Sequence, residues 1–349
     1  MAVSANSAGS ICILPRLQGL GGPSSFQKNL IAGLQARGIE AHHDPDRPGC
    51  AALLVIGGTR RLDMVWRARR MGIRVVQRLN GMNWIHRLRR TGLRHYLRAE
   101  WGNVLLALIR RRLAQRIVYQ SQFAQDWWKR AYGEVSASSR VIYNAVDLTM
   151  YHPMGKHHRP LDWLRLLVVE GSLGGGYEGG LLNAARLVQS LNQMSDQLAG
   201  KSVELQVAGR VPETLQKQVE GILPGKVAWA GVLPRAGIPD LDRSAHLMFS
   251  ADVNAACPNS VIEALACGLP VAAFESGALP ELVANGAGVI APWGGDPWQL
   301  DPPDIQALAE RSIEPLTRQD MYRTAARRQA EKCFGLDRMV ECYLQELLG

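Results

Sequence analysis

The stretch Asn254-Ala-Ala-Cys-Pro-Asn-Ser-Val-Ile-Glu263-Ala-Leu-Ala-Cys-Gly268-Leu-Pro-Val271 joins a turn-rich segment to a short helix and then to a strand. Asn259 and Ser260 are good N-caps, so the helix is expected to open there, with backbone N–H groups facing the preceding loop. Gly268 supplies a positive-φ stop, and Pro270 prevents the helix from continuing. The apolar run Val271–Phe274 then reads as a buried parallel strand. A helix N-terminus of this kind suits a phosphate, and Glu263 lies one turn inside it. Its neighbours Val261, Ile262, Ala264 and Leu265 are apolar, a setting in which an unpartnered charge is costly.

Outward from this segment, short apolar runs alternate with helical patterns in both halves of the chain. Strands are expected at 11–14, 51–56, 74–77, 116–119 and 140–143, with helices at 24–37, 61–71, 92–112 and 122–132 between them. The second half repeats the scheme, with strands at 164–170, 203–208, 227–230, 246–250 and 270–274. Its helices are expected at 180–194, 212–219, 239–244 and 260–267. Two successive βαβ arrays imply an α/β fold of two doubly wound, Rossmann-like domains facing each other across a cleft. The joint is placed at 147–162, giving an N-terminal domain at 1–155 and a C-terminal domain at 156–335. A last helical pattern lies at 336–349.

Charge divides the same way. Residues 1–150 carry 23 Lys and Arg against 8 Asp and Glu, a net of +15, and the remainder is −6. Halves so different are expected to meet different partners. The segment from Trp84 to Arg116 holds nine arginines against one acid, Glu100, with Trp84, Tyr96 and Trp101 interleaved. Arginine beside interfacial aromatics is what a helix lying on an anionic membrane surface needs. A solvated face or a site for an acidic polymer reads equally from the same residues. No nucleic-acid recognition motif accompanies the charge, so nucleic acid is not an expected partner. No apolar run reaches the ~20 residues of a membrane span, and the N-terminus lacks the pattern of a secretory leader. Six cysteines without a CxxC pair or zinc spacing point to a reducing, cytoplasmic setting and to no metal.

The 257–271 segment resembles the donor-binding signature of retaining GT-B glycosyltransferases of the family 4 type. The resemblance extends along the chain, and it implies that the last helix packs back on the first domain. The loop from Pro15 to Ser25 resembles the family's glycine loop, and Gly21 and Gly22 match the pair that faces the donor phosphates. The segments at 207–212 and 230–234 resemble turns that line the nucleotide pocket, and there Arg210 is a phosphate or base candidate. Glu263 matches the acid that hydrogen-bonds the donor ribose, with Asn259, Ser260 and Val261 beside it. Asn144, Asp147, Ser121 and Glu281 match turn and cap positions and are expected to be structural. Asn80 stands roughly where many members place a histidine, and His86 follows in the same loop; both are cleft candidates.

Departures from the family pattern carry as much weight. Ala255 occupies the first acid of the E-x7-E pattern. In Glu170-Gly171-Ser172-Leu-Gly-Gly-Gly-Tyr-Glu178, Ser172 replaces the family's phosphate-clamping Arg, and Tyr177 or Glu178 replaces its Lys. Arg16, Arg78 and Arg210 are candidate substitutes, as are the backbone N–H groups of the glycine run 174–176. The resemblance implies metal-independent transfer of a sugar from a nucleotide-sugar donor to a glycan or lipid-linked acceptor, as in polysaccharide biosynthesis. Two alternatives stay open. One is a non-catalytic or weakly active protein that binds nucleotide sugar or glycan, and the other is a sugar-nucleotide epimerase of the same fold.

Overall fold

The computed structural model describes residues 9–19, 21–89, 92–174 and 178–349. The chain forms two units, residues 1–145 with 336–349 and residues 146–335. The division falls ten residues before the expected 155. The segment after Val146 is already tied into the second unit, where Val146 N donates to Phe334 O and Arg327 Nη1 to Tyr151 O.

The first unit contains β1 (Ser10–Leu14), α1 (Gly22–Gln35), β2 (Ala41–His42), β3 (Cys50–Ile56), α2 (Leu62–Arg70), β4 (Arg74–Leu79), α3 (Leu93–Leu108), β5 (Arg116–Tyr119), α4 (Gln122–Tyr132) and β6 (Ser138–Val141). All six strands are parallel, in the order β2-β1-β3-β4-β5-β6. Because successive side chains point to opposite faces, each apolar strand feeds two cores. Ile11, Ile13, Leu54 and Ile56 face α1, whereas Cys12, Leu14, Leu53 and Val55 face Val65 and Ala68 of α2. The helix expected at 92–112 is α3 extended by a π-helical turn, Ile109–Leu113.

The second unit contains β7 (Leu164–Ser172), α5 (Gly179–Gln193), β8 (Val203–Arg210), α6 (Glu213–Ile222), β9 (Val227–Gly231), α7 (Ile238–Ser244), β10 (Leu247–Phe249), α8 (Asn259–Ala266), β11 (Val271–Phe274), α9 (Leu279–Leu282), β12 (Gly288–Ala291), α10 (Ile305–Thr317) and α11 (Gln319–Cys333). Its strands are also all parallel, in the order β12-β11-β10-β7-β8-β9. Counted from β7, this is the dinucleotide-binding order, and the chain reverses direction between β7 and β10. Strand β12 escapes the periodicity because it is four residues long and opens on Gly288. A Cβ at that glycine would lie 2.0 Å from Val271 O, so the pairing depends on the missing side chain.

The final helix, α12 (Leu336–Leu348), belongs to the first unit. It buries Met339, Val340, Tyr343 and Leu347 beside Phe26, Leu30 and Leu34 of α1. A Cβ on Gly33 would sit 2.3 Å from Val340 Cγ2, so α1 and α12 approach as closely as glycine allows. Arg37 pairs with both Asp337 and Glu341 at the rim of this contact.

Candidate donor site in the second unit

In an open doubly wound sheet, ligands bind at the carboxyl ends of the strands where the winding reverses. In the second unit that point lies between β7 and β10, and α8 and α5 both start there. The end of β7 is bulged between Val169 and Ser172, and Ser172 pairs with Arg210 at the end of β8. Gly209 makes this approach possible. Its φ is +136°, and a Cβ there would be 1.9 Å from Glu170 O. Gly171, Ser172 and Arg210 are all exposed at this edge. On the other side, Gly180 near the start of α5 packs against the loop after β10, where a Cβ would meet Ala251 O at 2.2 Å. Gly175, Gly176 and Tyr177 lie outside the described residues.

Helix α8 opens one residue earlier than expected. Pro258 occupies the N-cap with extended backbone and no side-chain cap, so Asn259 and Ser260 are the first two helical residues. The prolyl N-cap has no side-chain oxygen, so no cap side chain takes the N–H groups of Asn259, Ser260 and Val261. The hydroxyl of Ser260 instead reaches across to Glu170 Oε1 at 3.5 Å. The far end stops as expected, with Gly268 at φ +70°. There Gly268 N donates to Leu265 O and Leu269 N to Ala264 O.

Glu263 is half-buried on this helix. Burial pushes its carboxyl up to about 7, against the opposing pull of the Arg235 cation and the Tyr151 hydroxyl. Tyr151 is fully buried, and the Arg235 guanidinium lies 5.9 Å from its ring centre. Two further acids stand at the same strand ends. Glu170 and Asp252 are both raised by desolvation, Glu170 also by the neighbouring charges of Asp252 and Glu263. Among the described residues no three His, Cys, Asp or Glu side chains are disposed to hold a metal ion. Sequence spacing gave no sign of this acid grouping, because β7, the β10 loop and α8 bring its members from distant positions. Ala255, in place of the first patterned acid, is occupied otherwise, since its carbonyl accepts from Ala278 N.

The first unit presents a separate polar edge. Gly21 is the N-cap of α1 and Gly22 its first residue, so this helix starts two residues before the expected Ser24. Gln27 folds the preceding loop onto it by accepting from Leu17 N and donating to Pro15 O. Arg16 is exposed on that loop. Arg78, expected as a phosphate ligand, has no accessible surface and donates instead to Asn80 Oδ1 and Asn144 Oδ1. Asn144, expected to be structural at an Asx-type turn, accepts from this guanidinium. Asp147 does make such a turn, accepting from Thr149 N, and Ser121 caps α4 by accepting from Ala124 N. His86 is buried and bonded to Glu100 at 2.8 Å, which makes it a packing residue. Glu100 is held down to about 2, chiefly by Arg87 and further by His86.

Residues 177–317 match the family model described as glycosyl transferases group 1. A comparison with curated proteins gives no match. Similar solved structures include a sucrose-phosphate synthase from Thermosynechococcus elongatus, 14% identical with a TM-score of 0.70 over 99% of this chain and 96% of that one. HepE of Anabaena, in complex with UDP and glucose, is 15% identical with a TM-score of 0.68, covering 97% and 99%. WaaG, a glycosyltransferase involved in lipopolysaccharide biosynthesis, is 15% identical with a TM-score of 0.68, covering 97% and 100%. The chain thus has the two-sheet fold of these GT-B glycosyltransferases, and its residues 177–317 are similar to the glycosyl transferases group 1 family.

Proposed function

We propose that this protein transfers a sugar from a nucleotide-sugar donor to a glycan or lipid-linked acceptor, with retention at the anomeric carbon and without a metal. The reading is carried by Glu263, a half-buried carboxyl on α8 at the winding reversal of the second unit. Two carboxylate oxygens suit the vicinal hydroxyls of a ribose. Arg235 beside it favours the ionised acceptor form. Arg210 and the N-terminal ends of α8 and α5 stand on the side a departing diphosphate would take. In the proposed front-face reaction the acceptor hydroxyl attacks the anomeric carbon on the side the diphosphate leaves, so no protein nucleophile is needed. HepE, with UDP and glucose bound, is one neighbour whose described ligands fit this reading.

A second reading has a specific observation behind it. Ser172 and Glu178 stand where the resemblance leads one to expect two cations. A diphosphate meeting these two residues loses several kcal/mol of charge stabilisation. On this basis the protein binds nucleotide sugar or glycan with little transfer. A thermal-shift screen of UDP-, GDP- and ADP-sugars, run beside Glu263→Ala, finds the donor, and the rate of sugar transfer from that donor separates the two. A donor-specific rise in Tm that Glu263→Ala abolishes places the nucleotide at α8; transfer from that donor then supports the transferase reading, and binding without transfer supports the second. No rise with any donor gives precedence to the second reading.

The acceptor side includes a membrane surface in this proposal. Helix α3 turns Leu93, Leu97, Trp101, Val104 and Leu108 outward as one exposed stripe, opposite buried Ala99 and Asn103. Arg94 and Arg98 flank the stripe. An apolar helix face turned to solvent beside arginines fits an anionic bilayer surface. No described helix is long and apolar enough to cross a membrane. A second copy laid face to face would bring the same arginines together, which disfavours self-association there.

A further inference from the structure

The carboxyl edge of the first unit holds an arrangement that the donor site does not use. Arg78 is the last residue but one of β4, fully buried, with its guanidinium 3.8 Å from the ring centre of Phe26. Side-chain amides surround it from residues that follow three adjacent strands, β4, β5 and β6. Arg78 Nη1 donates to Asn80 Oδ1 at 2.6 Å, and Nη2 donates to Asn144 Oδ1 at 2.7 Å. The buried side chain of Gln120 closes the ring from β5, its Nε2 donating to Asn80 Oδ1 at 2.8 Å.

This geometry fixes the orientation of Asn80. The atom facing Arg78 must be oxygen, because two N–H groups cannot share a hydrogen bond. The Nδ2 amino group is then the outward atom. It makes no hydrogen bond among the described residues and is not a buried orphan, so it faces solvent at the strand end. The backbone beneath it is also held, since Trp128 Nε1 donates to Asn80 O at 2.7 Å. A charge-assisted bond on the amide oxygen draws electron density from the nitrogen and strengthens its N–H groups as donors. A strengthened donor with a cation behind it favours an anionic oxygen over a hydroxyl.

We propose that Asn80 is a specificity-determining residue that takes an anionic oxygen, carboxylate or phosphate, of the sugar substrate, with Arg78 acting through it as a positioning residue. The proposal rests on the sugar-transfer reading but not on Glu263, so the donor screen with Glu263→Ala tests that reading separately. Isothermal titration of the full-length protein with methyl α-glucopyranoside, methyl α-glucuronide and glucose 6-phosphate tests it directly. At least one anionic probe is expected to bind tenfold or more tightly than the neutral one, and the better of the two identifies the group. Asn80→Asp places a carboxylate against Arg78 and presents an oxygen outward, so it is expected to erase the anionic preference while neutral-sugar binding stays. Asn80→Ser removes the amide N–H but keeps a small polar side chain, and covers the case in which Asn80→Asp does not fold. Arg78→Met is expected to lower the anionic-to-neutral ratio without abolishing neutral binding. Equal binding of all three probes, no binding of either anionic probe, or a preference that survives both Asn80 variants overturns the proposal.

Discussion

Glu263 trades stability for a charged hydrogen-bond acceptor. Its folded-state carboxyl is raised to about 7 from an ordinary value of 4.5 by burial, so the neutral form is the one the fold prefers. The stabilisation is therefore full below about pH 4.5 and lost as pH rises through 7. Glu263→Gln keeps the shape without the charge. We expect its Tm to exceed that of the unliganded wild type at pH 8 and to match it near pH 5, with the nucleotide-induced shift gone. Scanning calorimetry of both proteins across pH 5–8 checks this, and parallel pH slopes would contradict it. The residue itself was legible in the sequence, because apolar neighbours on a short helix single out one acid. Its surroundings were not: Tyr151, Arg235 and Glu170 come from other elements, and no local pattern records who meets whom. Arg78 shows the same limit from the other side. As a cation after an apolar strand it reads as a ligand for phosphate, and only the packing of three strand ends shows that it is buried under amides.

Among the elements, α3 departs furthest from the usual relation between pattern and packing. Leu93, Leu97, Trp101, Val104 and Leu108 fall at helical spacing, which ordinarily marks the face turned to a core. Here that face is outward, Trp101 being 65% and Leu93 75% exposed. The arginine count of this segment was visible in the sequence, but the direction of the stripe was not, because periodicity gives a face and not its partner. Flotation with liposomes tests the element. Binding is expected to vesicles containing anionic lipid, to weaken as salt rises, and to fall at least fivefold in Leu97→Asp. Since Leu97 is exposed, the same substitution should change stability by no more than about 0.5 kcal/mol. Equal recovery on neutral and anionic vesicles would remove the membrane from the proposal.

At the level of the whole molecule, the strand-and-helix alternation fixed two parallel sheets, whereas one edge strand of each left no pattern to read. Strands β2 and β12 are two and four residues long, too short to show a period. The return of α12 to the first unit has a measurable energetic meaning. Its four buried side chains, Met339, Val340, Tyr343 and Leu347, are worth roughly 1.5–3 kcal/mol each, comparable with the ~5–15 kcal/mol that holds a domain together. Ending the chain after Gly335 should therefore leave residues 9–145 open to limited proteolysis while residues 146–335 stay resistant; equal resistance of both would refute this. The second unit is thus an insertion within the first. During translation the first sheet's strands emerge early but wait for their last helix, so the unit whose synthesis begins second is the first that can close. Over that interval the α1 surface around Gly33 is bare, and it is there that a nascent chain of this protein has most need of protection.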